Sequence, residues 1–245
     1  MYILHERKGV AKWNRTSLKD FVRAEKGDII SFAGAGGKTT LMMDLARELA
    51  LSGMRVIVTT TTKMYWQEDA VDSGNLDKIK AVLNESGLAV CGIKAGIKMI
   101  CPDRSFFAQG LKIADIMLVE ADGARRLPFK FPREGEPVYL QESNKIVYAA
   151  GLTALGKKLG SLARGALMAD FLGRSEEALL SDADMAKVLG SASGGRKDVA
   201  DRQFFLILNQ ADDEQTAGRA RQIIEGISPV SVSGAAYGCC RQDER

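Results

Sequence analysis

"SFAGAGGKTTLMMDLARELALSGMRVIVTTTTKM", residues 31–64, decides how the rest of the chain is read. Glycines at 34, 36 and 37 lead into Lys38-Thr39-Thr40. From Lys38 to Ser52 the apolar residues Leu41, Met42, Leu45 and Leu49 fall three or four apart, which predicts a helix with one buried stripe. Gly53 stops it, and Arg55–Thr59 is a β-branched strand. Asp28–Ala33, ahead of the glycines, predicts another short apolar strand. Strand, helix and strand in quick succession make a parallel βαβ unit.

Glycine at the junction has a chemical meaning. To wrap a phosphate, backbone amides must point inward, and side chains obstruct that approach. Glycine tolerates positive φ and has no Cβ. The following helix adds unpaired amides and the positive end of its dipole. Gly34, Ala35, Gly36, Gly37, Lys38, Thr39 and Thr40 are therefore the candidate nucleotide-binding residues, with Lys38 reaching the terminal phosphates and the Thr39 hydroxyl on Mg²⁺. The usual phosphate loop has glycine six positions before the lysine, where Phe32 stands here. The shorter Gly-x-x-Gly-Lys-Thr-Thr form resembles the ATP loop of Mur-type peptide ligases. The plain alternative is a glycine-rich turn ahead of an ordinary helix.

Working outward, Thr16–Ala24 and Asn75–Ser86 predict helices, and Leu88–Ile100, with Gly92 and Gly96, predicts a hairpin. Ile116–Val119 is a wholly apolar strand ending at Glu120, and Lys145–Ala149 is another strand. Residues 151–200 are rich in Gly, Ala and Ser, with one signal, Ser181-x-x-Asp184, capping a helix to Leu189. Phe204–Leu208, Asp213–Gly226 and Pro229–Ser233 form a second strand–helix–strand unit. Alternation of this kind predicts an α/β fold: a mostly parallel sheet with helices on both faces, a P-loop NTPase-like three-layer sandwich. We read it as a single domain over residues 1–245 with a small hairpin insertion near 88–101. Ligands in such sheets bind beyond the carboxyl ends of the strands. The glycine run, Thr59–Thr62, Glu120–Gly123 and Asn209–Asp212 all follow predicted strands, so all four should meet at one edge.

Bulk properties restrict the function classes. The 245 residues carry 34 Lys+Arg against 31 Asp+Glu, a net charge of +3, which gives no ground for a nucleic-acid or membrane partner. There is no apolar run of spanning length, and Met1–Lys12 has no signal-peptide core, so a cytoplasmic protein is expected. Cys91, Cys101, Cys239 and Cys240 lack metal-finger spacing, although the adjacent Cys239-Cys240 pair could hold selenium or a thiophilic metal. His5 is the only histidine, which excludes histidine triads and multi-histidine metal sites.

The remaining candidates flank the loop. Glu120 and Asp122 follow an apolar strand, where a carboxylate can hold the magnesium hydration shell or orient a water; with Lys38 they are the catalytic candidates, and with Thr39 the metal candidates. Which acid does which task is open at this level. Thr61, Thr62 and Lys63 could meet the γ-phosphate or its metal, or simply end a strand. Arg125, Arg126, Lys130 and Arg133 crowd a segment stiffened by Pro128 and Pro132; Arg125 and Lys130 are the candidates there for phosphate or an anionic substrate. Asn209-Gln210-Ala211-Asp212 resembles the guanine-reading Asn-Lys-x-Asp element of GTPases, with Gln210 in place of lysine, so Asn209 and Asp212 are base-reading candidates, or the stretch is a turn that caps the helix starting near Asp213. ATP and GTP both stay open.

Taken in order, "GAGGKTTLM", "VIVTTTTKM", "LVEADGARRLPFK", "EPVYL", "GLTALGKKL" and "LNQAD" resemble the YqeC-type accessory proteins, a family linked to selenium-dependent molybdenum hydroxylases. The likeness runs from about Ile29 to Asp212. It implies a Mg²⁺-dependent nucleotide-binding protein that helps mature, or supplies selenium to, a molybdenum hydroxylase or its cofactor intermediate. Residue spacing leaves two rivals to a hydrolysing factor: a phosphotransferase or Mur-like ligase, and a nucleotide-organised binding module without turnover.

Overall fold

The structure, a computed structural model, describes residues 2–7, 10–124, 126–227 and 232–238, the first two strands by backbone alone. An antiparallel pair, β1 (Tyr2–Arg7) and β2 (Val10–Arg15), precedes α1 (Leu18–Val22), strand β3 (Ile29–Gly34) and helix α2 (Lys38–Leu51). Then come β4 (Val56–Thr60), the short β5 (Lys63–Tyr65) and β6 (Val71–Asp72), α3 (Leu76–Ser86), β7 (Leu88–Ala95), β8 (Lys98–Ile100), α4 (Arg104–Ile113) and β9 (Ile116–Glu120). The second half holds β10 (Lys145–Gly151), α5 (Gly165–Leu172), α6 (Asp182–Gly190), β11 (Gln203–Asn209), α7 (Glu214–Glu225) and β12 (Gly234–Gly238).

Strand order is β2-β1-β12-β11-β10-β3-β9-β4-β7-β8-β5. The strands from β12 to β7 pair in parallel; β1, β2, β8 and β5 pair antiparallel at the two margins. Central strands are apolar on both faces because both faces are covered. Val147 and Ala149 of β10, Phe205 and Ile207 of β11, and Ile116 and Leu118 of β9 pack with Leu18 and Phe21 of α1 and Leu41, Met42, Leu45 and Leu49 of α2. The alternate residues face the other way. Tyr148 and Leu206 meet Met168 of α5, Met185 of α6 and Ile223 of α7. Met117 and Val119 meet Ile79 of α3 and Phe106 of α4. The molecule is thus an α/β three-layer sandwich, as expected.

The cap at Ser181 follows its sequence signal, while the one at Asp213 is added by the structure. Ser181 and Asp184 form a full capping box on α6, and Asp213 with Thr216 does so on α7. Three readings change. Leu88–Val90 pair with β4 inside the main sheet, so only Ile93–Ile100 form the antiparallel hairpin. The last strand begins at Gly234 rather than Pro229, and residues 228–231 lie outside the described residues. The N-terminal strand pair has no counterpart in the expected elements; its charged residues weaken the apolar alternation that marks a strand, as is common at sheet margins.

Candidate functional site

β3 lies between β10 and β9, and its carboxyl end delivers the glycine loop to the middle of the sheet edge. Gly36 and Gly37 have φ of 78° and 104°, where glycine alone is at ease. A Cβ on Gly36 would stand 2.3 Å from the Gly151 nitrogen, and one on Gly37 2.2 Å from Asn209 Nδ2. The loop is fixed by its own amides: Gly34 N–H donates to Asp122 Oδ2 (3.0 Å), Ala35 N–H to the Ala149 carbonyl (2.9 Å) and Gly36 N–H to the Leu127 carbonyl (3.1 Å). This narrows the expected anion cradle. Gly34, Ala35 and Gly36 build the loop, while the first helical bond runs from Leu41 N–H to Gly37 C=O. Lys38, Thr39 and Thr40 therefore present amides with no intrahelical acceptor at the positive end of α2.

The two acids behind the loop have different surroundings. Glu120, the last residue of β9, accepts the Thr39 hydroxyl on Oε2 at 2.7 Å, and its Oε1 is 3.8 Å from Lys38 Nζ. Asp122 lies two residues beyond the strand and is fully buried. Its carboxylate accepts Gly34 N–H, Lys38 Nζ (2.5 Å) and Lys130 Nζ (2.6 Å), and Lys38 also donates to the Asp122 carbonyl. Asp122 thus ties the lysine to the glycine turn. Burial first, and the Asp122 charge second, hold the Tyr139 and Tyr148 phenols well above their ordinary value, so both stay protonated.

Lys130 departs most from expectation. Read as a cation for phosphate or substrate, it is fully buried instead. Besides Asp122, its ammonium donates to the Gly123 carbonyl at 3.1 Å and lies 3.5 Å from Glu136. Glu136 in turn accepts Arg133 (3.0 Å) and Arg164 (3.1 Å), and its carbonyl accepts Lys197 Nζ (2.7 Å). Nothing in the local composition around Glu136, Arg164 or Lys197 marks them for this network. Lys130 is drawn inward because its segment runs under the glycine loop, where Gly151 N–H meets the Pro128 carbonyl at 2.7 Å.

The other candidates divide. Thr61 donates its hydroxyl to the Val138 carbonyl (2.6 Å), and the Thr62 amide donates to Thr60 Oγ1 (3.0 Å); both residues and the exposed Lys63 still line the cleft described below. Asn209 is buried and donates from Nδ2 to the Gly36 carbonyl (2.8 Å), so it braces the loop; its Oδ1 is buried without a hydrogen-bond partner. Asp212 is exposed and away from the cleft lining, and the α7 cap is its neighbour Asp213. Gln210 does line the cleft, and its Oε1 accepts the Thr153 hydroxyl at 2.6 Å. Arg125, Cys239 and Cys240 lie outside the described residues.

These groups open on a cleft of about 1210 Å³. One wall is Gly36 to Thr40 with Glu120; another is Thr61 to Tyr65 with Lys98, Arg126 and Arg133. Tyr65 and Lys98 carry no signal in the sequence, since one lysine or tyrosine of a short strand looks like any other. Among the described residues no group of three or more His, Cys, Asp or Glu side chains is placed to hold a metal. The Thr39 hydroxyl and Glu120 carboxylate are hard oxygen donors, and such a pair fits Mg²⁺, which keeps waters and takes its other ligands from phosphates. No helix among the described residues is long and apolar enough to cross a membrane.

Comparison with known proteins places this site in a family. The family model described as "YqeC protein" matches residues 30–163, more than half of the chain, and the chain belongs to that family. Protein YqeC of Escherichia coli (strain K12) is 28% identical over 190 residues, 74% of each chain. Among solved structures, HypB from Helicobacter pylori in complex with nickel is 12% identical over 91% of this chain and 81% of that one, with a TM-score of 0.39. Chloroplast FtsY from Physcomitrella patens is 14% identical over 91% and 53%, with a TM-score of 0.33.

Proposed function

We propose that this member of the YqeC family is a single P-loop-type domain that binds and hydrolyses a nucleoside triphosphate with Mg²⁺. Following the family resemblance, it would act as an accessory factor that matures, or supplies selenium to, a molybdenum hydroxylase or its cofactor intermediate. The observation that supports the reading most is the group formed by the open amides of Lys38–Thr40, the Lys38 ammonium and the Thr39–Glu120 pair, all at one wall of the cleft.

In this reading the amides at the start of α2 and Lys38 hold the β- and γ-phosphate oxygens and stabilise charge that builds there in the transition state. Thr39 and Glu120 would hold Mg²⁺, which supplies Lewis-acid neutralisation of the phosphates. Asp122 positions Lys38 and keeps Gly34 in register. Asn209 braces Gly36, and the nucleoside extends toward Gln210. A second reading, phosphoryl transfer or ligation to an acceptor, is favoured by the cleft's continuation past the loop to Lys63, Lys98 and Arg126.

Titration of the purified protein with ATP and GTP, with and without Mg²⁺, tests the core. Lys38→Ala should weaken binding about 10- to 100-fold, the worth of one or two charge-assisted hydrogen bonds. Glu120→Gln should remove the Mg²⁺ dependence of binding, with a smaller fall in melting temperature than Asp122→Ala because its pairing with Lys38 is the longer one. Unaltered affinity in Lys38→Ala would refute the assignment. Unchanged selenium content of molybdenum hydroxylases from cells lacking the protein would sink the pathway role.

A further inference from the structure

The cleft contains a second set of charges that the nucleotide reading does not use. Lys63, Lys98 and Arg126 line it on the side of β4, β5 and β8. Lys98 Nζ lies 5.6 Å and the Arg126 guanidinium 5.1 Å from the centre of the half-exposed Tyr65 ring, so two cations flank one aromatic face or edge. Among the described residues, no carboxylate forms an ion pair with Lys63, Lys98 or Arg126, whereas Lys38 and Arg133, the other cations of the cleft, are each paired. Arg126 has φ of 60°, a backbone conformation that disfavours arginine and that recurs where a functional side chain is held in place.

Strand order separates this set from the nucleoside. β4 lies two strands from β3 on one side and β11 two strands away on the other. At about 4.8 Å per strand, Lys63 and Gln210 follow strands about 10 Å to opposite sides of the glycine loop. A nucleotide with its phosphates at Lys38 and its nucleoside toward Gln210 leaves the cations at the far end of its phosphate chain.

We propose that Lys63, Lys98 and Arg126, with Tyr65 between the last two, form a binding site for a second ligand: a small, multiply charged anion bearing phosphate or carboxylate groups, seated beyond the terminal phosphate. This rests on the nucleotide reading above. Arg126 supplies a planar fork for two oxygens, and the lysines supply compact charge. Glu120 stays engaged with Thr39, and Glu136 with Lys130, Arg133 and Arg164, so neither leaves a free carboxylate facing the anion.

The test compares the unaltered chain with the triple variant Lys63→Ala, Lys98→Ala, Arg126→Ala. Each is first saturated with Mg²⁺ and a non-hydrolysable analogue of ATP or GTP, whichever binds, then titrated with inorganic phosphate and, separately, citrate. The expected result is nucleotide affinity within about threefold in the variant and second-anion affinity at least about tenfold weaker, as befits loss of several charge-assisted contacts. The stronger of the two probes tells phosphate from carboxylate. Equal anion binding by variant and unaltered protein overturns the proposal. So does a large loss of nucleotide affinity in the variant, which would assign these cations to the nucleotide's own phosphates. Absence of nucleotide binding by the unaltered chain removes both readings, while intact nucleotide binding with no variant-sensitive anion uptake removes only this one.

Discussion

Replacing Asp122 with alanine should destabilise the fold more than any other change of a single acid around the loop. The carboxylate is fully buried and serves three donors: Gly34 N–H, Lys38 and Lys130. Its loss leaves Lys130, itself fully buried, with the Gly123 carbonyl and a Glu136 oxygen 3.5 Å away; Lys38 keeps Glu120 at 3.8 Å. Removing one member of a buried pair costs about 3–5 kcal/mol, and an orphaned amide about 1 kcal/mol more. The nearby glutamates offset part of this, so we expect about 4 kcal/mol. That is a large share of the roughly 5–15 kcal/mol by which domains are stable. With a urea dependence of about 3 kcal/mol per molar, the unfolding midpoint drops by about 1.3 M. Far-UV circular dichroism and tryptophan fluorescence should be followed together, because coincident transitions are needed before free energies are compared. Adding Lys130→Met to Asp122→Ala should restore about 1–2 kcal/mol, since the unpaired buried ammonium is then gone. A loss below about 1 kcal/mol in Asp122→Ala, or further destabilisation on adding Lys130→Met, would refute the keystone role of this carboxylate.

Gly37→Ala places a methyl against Asn209 Nδ2 at a φ of 104°, so stability should fall by about 2 kcal/mol and nucleotide affinity should fall with it; a melting curve and a titration read both. Burial pushes the Cys91 thiol up to about 12, so iodoacetamide at pH 8 should leave Cys91 unlabelled in the native protein and label it after denaturation, as peptide mass mapping will show. Hydrogen bonds from Arg55 hold the Asp115 carboxyl at about 2, below its ordinary 3.8. Between those values the unfolded chain binds more protons, so the Asp115 contribution to stability is full above pH 3.8 and is lost as pH falls toward 2; Asp115→Asn should flatten that acid limb in denaturation curves.

Local pattern carried the reading of the fold a long way. The stripe of Leu41, Met42, Leu45 and Leu49, the apolar runs at 29–34 and 116–120, and the cap at Ser181 each state their element within a few residues. Periodicity works there because a covered strand or a half-buried helix repeats its environment at a fixed spacing. Convergence of four polar segments at one sheet edge followed too, since parallel strands all end on the same side. The helices at Arg104–Ile113 and Gly165–Leu172 have no counterpart in the expected elements: Gly110 interrupts the stripe of the first, and the second is only eight residues long in a stretch rich in Gly, Ala and Ser.

What the chain alone determined about this protein is therefore its layers, its glycine loop and the lysine and threonine that follow it. Only the tertiary structure decided that Glu120, and not Asp122, meets Thr39, and that Lys130 is a buried brace rather than a cation offered to a ligand. The physical reason is that alternation stops being informative where a strand ends. Past Glu120 the direction of each side chain is set by partners far away in sequence, such as Gly34, 88 residues before Asp122. Two lysines of equal charge, 38 and 130, are drawn to one carboxylate because Leu127 and Pro128 run beneath the loop, and that path depends on the packing of the whole sheet edge.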